Sequence, residues 1–151
     1  RAVRDSKAGG RGGARPAPGP GRGGPHLSPP PPLPPDLARS GWTWPGAYLR
    51  AIELQLHQLE PWYFLTEEEL RLVRAGLAAR YPRRDLLPFA RRQDSDDVAC
   101  FDLSARRGDP SVLLIHDHAP PGQELAGELS GFWDWFRQAV EDLIVWFEEA
   151  T

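Results

Sequence analysis

Methionine is absent from this chain, and cysteine occurs once, at Cys100. A single thiol cannot build an internal disulfide framework, which fits a reducing compartment and makes the cytoplasm the expected location. Long apolar runs are missing too. The longest, Leu143-Ile144-Val145-Trp146-Phe147, falls far short of the roughly 18 residues of a membrane-crossing helix, so no membrane partner is expected. Nothing near Arg1 provides the apolar stretch of a secretory leader. With Arg1 in first place and no methionine to follow, the natural initiator is expected to lie elsewhere.

Side chains able to build a core are scarce at the start. Residues 1–35 hold eight glycines and ten prolines, a composition that predicts a disordered tail and places one domain at residues 36–151. Charge divides at the same point. The tail has six basic residues and one acid, a net +5, which leaves 12 basic and 20 acidic residues, a net −8, on the remainder. A body of that sign is repelled by nucleic acid and anionic lipid and attracted to basic protein surfaces. Arg11-Gly12-Gly13 and Arg22-Gly23-Gly24 look like fragments of an RNA-binding segment, but they lack interleaved aromatics and are explained by the biased composition. No nucleic-acid partner is expected.

The periodicity after residue 35 predicts an α+β domain. Leu49, Ile52, Leu56 and Leu59 recur at helical spacing from about Pro45, and Glu60-Pro61 is expected to stop that helix. Thr66-Glu67-Glu68-Glu69 reads as a capping box with a Leu65/Leu70 staple, opening a helix whose stripe is Leu70, Val73, Leu77 and Tyr81. The period then changes. Leu86 to Arg91, Val98 to Leu103 and Val112 to His118 read as strands, joined by turns at Asp94-Ser95-Asp96-Asp97 and Arg107-Gly108-Asp109-Pro110. Two hairpins in series give an antiparallel sheet of at least three strands, and apolar residues on both faces predict cover on both sides. From Phe132 to Phe147 every apolar position except Val145 falls on one half of a helical wheel, predicting a long C-terminal amphipathic helix that buries Phe132, Phe136, Val140, Leu143 and Phe147.

Several constellations invite chemistry, and each has a plainer reading. His116-Asp117-His118 at a strand end would put both imidazoles on one face, as a metal-dependent hydrolase requires. His57 and scattered acids are all that could complete such a site, and a solvated strand end explains the motif without a metal. Cys100 sits among apolar neighbours, where a thiol packs as a small hydrophobe rather than acting as a nucleophile. Trp133 and Trp135 with Phe132 and Phe136 could offer a stacking platform, yet all four fall in the apolar half of the wheel and read as core. Asp94, Asp96, Asp97 and Asp102 form an acidic cluster without the glycine and terminal glutamate of an EF-hand loop. Its readings are a solvated turn or a negative patch for a basic partner.

Taken together, Leu86-Leu87-Pro88-Phe89-Ala90-Arg91, the acidic turn, Asp97-Val98-Ala99-Cys100-Phe101-Asp102, Gly108-Asp109-Pro110, Val112 to His118, and Phe132-Trp133-Asp134-Trp135-Phe136 resemble the SUKH superfamily. The likeness spans roughly Leu86 to Phe147. Residues before Leu86 lack the Asn-Gly-Gly-like turn of many of its members. The resemblance implies helices flanking a bent antiparallel sheet and, in bacteria, an immunity protein that binds and neutralises a toxin, often a nuclease. No catalytic residue, cofactor or metal follows from it. The chain is therefore expected to be a monomeric binding protein and not an enzyme, meeting a basic toxin surface through Asp94, Asp96, Asp97, Asp102, His116, Asp117 and His118. A regulatory or scaffolding module of cell-envelope or polymer metabolism is the alternative.

Overall fold

The computed structural model describes residues 30–105 and 108–150. The tail through Pro29, and with it the expected disorder and the Arg-Gly-Gly triplets, lies outside that range, as does Arg107 of the second turn. The described residues form four helices and six strands in the order α1 (Pro35–Arg39), α2 (Gly46–Glu53), β1 (Gln58–Leu59), β2 (Trp62–Phe64), α3 (Glu67–Arg80), β3 (Leu86–Arg92), β4 (Asp97–Asp102), β5 (Val112–His116), β6 (Leu125–Leu129) and α4 (Phe132–Ala150). The class is α+β.

Folded structure reaches back past the expected boundary at residue 36. Pro35 is the first residue of α1, where a fixed φ and a missing N–H cost nothing. The Trp44 indole N–H donates to the Pro31 carbonyl at 3.0 Å, and Leu33 packs on the core. Helix α2 is shorter than its periodicity predicts and stops at Glu53 rather than at Glu60-Pro61. The Gln55 N–H bonds to the Ile52 carbonyl and the Leu56 N–H to the Ala51 carbonyl, with Gln55 left-handed at φ 58°. This is a Schellman ending with glutamine in the seat usually held by glycine, and it turns Leu56 out of the helix. Helix α3 opens as expected: Thr66 Oγ1 accepts from the Glu69 N–H, and the Glu69 carboxylate accepts from the Thr66 N–H.

The six strands form one antiparallel sheet in chain order, with α3 inserted between β2 and β3. Alternation along the central strands sorts two cores. Val98, Cys100, Leu113 and Ile115 point toward Leu77 and Tyr81 at the end of α3, whereas Ala99, Phe101 and Val112 point toward α1, α2, α4 and Trp44. That division explains why both faces read as apolar. Pro88 is tolerated in an interior strand because the register shifts beside it, pairing Pro88 with Cys100 and Ala90 with Ala99, and a bulge asks for no ladder bond there. The larger core is aromatic. Phe89 stacks on Phe101 at 4.4 Å, Tyr48 on Trp44 at 4.4 Å, and Trp135 meets Phe89 edge-on at 4.9 Å.

Helix α4 seats by its first half only. Phe132, Trp135 and Ala139 are buried, and Phe136, Val140 and Leu143 are partly covered. The expected burial of Phe147 and Trp133 does not occur, since they are 48% and 41% exposed. Nineteen residues at about 1.5 Å each make a rod near 28 Å long. Its last two turns run on beyond the side chains of the core. No described helix is long and apolar enough to cross a membrane.

Candidate functional site

Most of the residues singled out in the sequence meet at one end of the sheet. There the β3–β4 turn, the end of β5 and the β5–β6 connection come together. Asp97 opens β4 directly across from His116, the last residue of β5, and the Asp97 carboxylate pairs with the His116 ring. The Asp117 N–H then donates to the Asp96 carbonyl at 3.1 Å, fastening the turn to the end of β5. Asp94 is gripped by Arg92 through two bonds of 2.8 and 2.9 Å, and the guanidinium holds its carboxyl below the ordinary range. Asp96 is exposed. Asp94, Asp96 and Asp97 against Arg91 and Arg92 leave this tip with a net charge of −1.

Asp117 has a different role. It is only 7% exposed, and its carboxylate accepts from Arg80 Nε and Nη2, both at 2.7 Å. Asp117 Oδ1 also accepts from the His118 N–H at 2.9 Å. This bond helps to hold His118 at φ 71°, a left-handed backbone that a non-glycine residue rarely adopts unless its surroundings fix it. Because the strand ends at His116, the two imidazoles do not share a strand face. The His116 ring turns to Asp97, and His118 projects from the turn, more than half exposed. Asp102 lies at the far end of β4, five residues from Asp97 or roughly 17 Å at strand rise, where it caps the Ser104 N–H and hydroxyl.

Sequence reasoning missed the residues that hold this end together. Tyr81 donates from its hydroxyl to the Ala119 carbonyl at 2.7 Å, and Arg84 Nε donates to Glu124, itself 5% exposed. The Arg84 contact holds the Glu124 carboxyl below its ordinary value. Arg80 and Arg84 thus clamp the β5–β6 connection to the end of α3 through buried acids 37 and 40 positions away. On the opposite flank, Arg92 lies over the Trp62 ring and reaches Asp142 of α4 at 3.3 Å, so the acidic tip is wired to the C-terminal helix. The nearest thing to a signal for these contacts was the isolated acid in each apolar or glycine-rich context. Nothing in the spacing named its arginine.

Other candidates lose their chemistry in three dimensions. Among the described residues no three His, Cys, Asp or Glu side chains converge as a metal site demands. Burial pushes the Cys100 thiol well up, away from the thiolate a nucleophile needs. A cleft of about 460 Å³ lies between Leu33, Leu70, Leu77 and Leu86. Two arginines on its rim are committed, Arg74 to Asp36 and Arg84 to Glu124. Comparison with family models, curated proteins and solved structures finds no match to this chain.

Proposed function

We propose that this chain is an immunity-type binding protein of the SUKH kind. It neutralises a basic toxin, such as a nuclease, in the cytoplasm by forming a one-to-one complex and carries out no chemistry of its own. The observation that supports the reading best is the negative β3–β4 tip, displayed beside the exposed His116 and His118 on a sheet end that Arg80 and Arg84 hold through the buried carboxylates of Asp117 and Glu124. A preorganised acidic end loses little entropy when it meets a cationic active site, and charge of opposite sign speeds the encounter. The contact set narrows to Asp94, Asp96, Asp97, His116 and His118. Asp117 acts from beneath as a support, and Asp102 stands too far along β4 to join them.

The test takes the toxin encoded beside this gene, or the protein captured by this chain in its native host and identified by mass spectrometry. Asp96→Lys with Asp97→Lys is expected to weaken binding at least 100-fold, with much of the loss in the association rate at low salt. Unchanged affinity sinks the contact assignment. If the captured partner is instead an enzyme of cell-envelope or polymer metabolism, the regulatory reading replaces this one.

A further inference from the structure

One arginine is shared between the acidic tip and the C-terminal helix. Arg92 closes β3 and stands across from Trp62 of β2 in the ladder. Its guanidinium lies over the Trp62 ring, 5.7 Å from the centroid, and donates from Nε and Nη2 to the two carboxylate oxygens of Asp94 at 2.8 and 2.9 Å. Nη1 is 3.3 Å from Asp142 Oδ2 of α4. Asp142 is held in place without it. The Trp62 indole N–H donates to the same Oδ2 at 2.9 Å, and the Gln138 side-chain amide donates to Oδ1 at 3.0 Å. The guanidinium therefore stands between two carboxylates, one in the tip and one fixed on a helix.

The two pairs differ in what can reach them. The Asp94 side chain is 34% exposed and that of Asp142 only 19%. An ion pair open to solvent is weakly held, because water competes for both charges, so a cation arriving from outside can take the arginine's place on Asp94. Asp142 is better shielded and already carries two neutral donors. Alternation along β3 puts Arg91 on the sheet face of Val98, its ladder partner, and Arg92 on the face of Asp97. Arg92 is thus the cation that stands among the tip acids. With its charge turned to Asp142, Asp94, Asp96 and Asp97 face Arg91 alone.

We propose that Arg92 is a positioning residue that masks Asp94 in the free chain and passes to Asp142 when a cationic side chain of a basic partner takes Asp94. The proposal rests on the reading of this chain as a binder of basic proteins, but its first test needs no partner. Asp94→Ala ends the tip's hold on the guanidinium, as an arriving cation does. The indole N–H resonance of Trp62, which shares Asp142 with Arg92, is expected to move by several linewidths. Asp96→Ala removes the same charge and no bond to Arg92, and is expected to leave that resonance in place. Both positions lie in the exposed turn, so both variants keep the fold. A resonance unmoved by Asp94→Ala, or moved equally by the two variants, overturns the proposal.

The second test uses a synthetic hexaarginine peptide, titrated into the full chain. In the parent it is expected to move the Trp62 indole resonance together with the amides of residues 93–97. Arg92→Gln is expected to bind the peptide about threefold tighter, since Asp94 no longer has to be released. Arg91→Gln removes the same charge and no bond to Asp94, and is expected to gain less. Equal gains from the two variants mean charge alone and overturn the proposal. So does weaker binding by Arg92→Gln, which makes the arginine a mere tie between the tip and α4, or a titration in which the tip amides move and Trp62 does not. The reading of the chain as a binder fails on a different result, toxin affinity unchanged by Asp96→Lys with Asp97→Lys, and that result leaves the Trp62 shift in Asp94→Ala as it was.

Discussion

Gly76 stands in the interior of α3, where glycine costs about 1 kcal/mol relative to alanine. A Cβ at that position would lie 2.6 Å from Arg80 Nη2, the nitrogen that bonds Asp117. The glycine therefore gives the Arg80 guanidinium room to lie along its own helix and reach the β5–β6 connection. Gly76→Ala is expected to recover helix propensity and lose much of the bidentate pair, leaving thermal stability within about 0.5 kcal/mol of the parent. A full gain of about 1 kcal/mol in a denaturant melt would show that the Arg80 guanidinium shifts aside and keeps its pair without the glycine. Removal of the guanidinium by Arg80→Ala in the same melt is expected to cost about 2 kcal/mol. That is below the 3–5 of a wholly buried pair, because the Arg80 side chain is 35% exposed and water reaches Asp117 once it is gone.

At the scale of elements, the sequence was legible wherever a local rule and the tertiary packing agreed. The capping box of α3, the three long strands and the start of α4 each follow from side chains close in sequence. Helix α2 was overrun because its ending relies on Gln55 in a left-handed seat, and no glycine marks it. Replacing it tests that account: Gln55→Gly is expected to raise stability by about 1 kcal/mol by relieving the backbone while keeping both Schellman bonds. A loss in chemical denaturation would mean that the Gln55 side chain, not the backbone, sets the ending. Strands β1 and β2 are two and three residues long, too short for an alternation to show. Strand β6 has Gly127 at its centre and no buried residue, so it reads as loop until β5 supplies its partner. Proline misled at the start of the domain, where Pro35 opens a helix that looked like the last of a disordered run. For α4 the wheel was right about amphipathicity and wrong about cover, since periodicity cannot say where the core ends.

For the whole molecule, the candidate site was half legible. The acidic turn and the His116 to His118 strand end stood out by composition, and the fold brings them together across β4 and β5. The arginines that fix them come from α3 and β3, and only tertiary structure makes those pairings. They also change the roles: Asp117, which looks like a contact in sequence, is a buried strut, and His118 is what it displays. On the proposed reading, recognition sits at the end of the meander where the β3–β4 turn meets the end of β5. The most direct measurement is the hydrogen-exchange footprint of the chain alone and saturated with the toxin partner proposed above. Slowed amide exchange is expected across residues 93–97 and 116–119, at a stoichiometry of one to one. Protection confined to the cleft beside Leu33 and Arg74, or no slowing at the acidic end, would contradict the account.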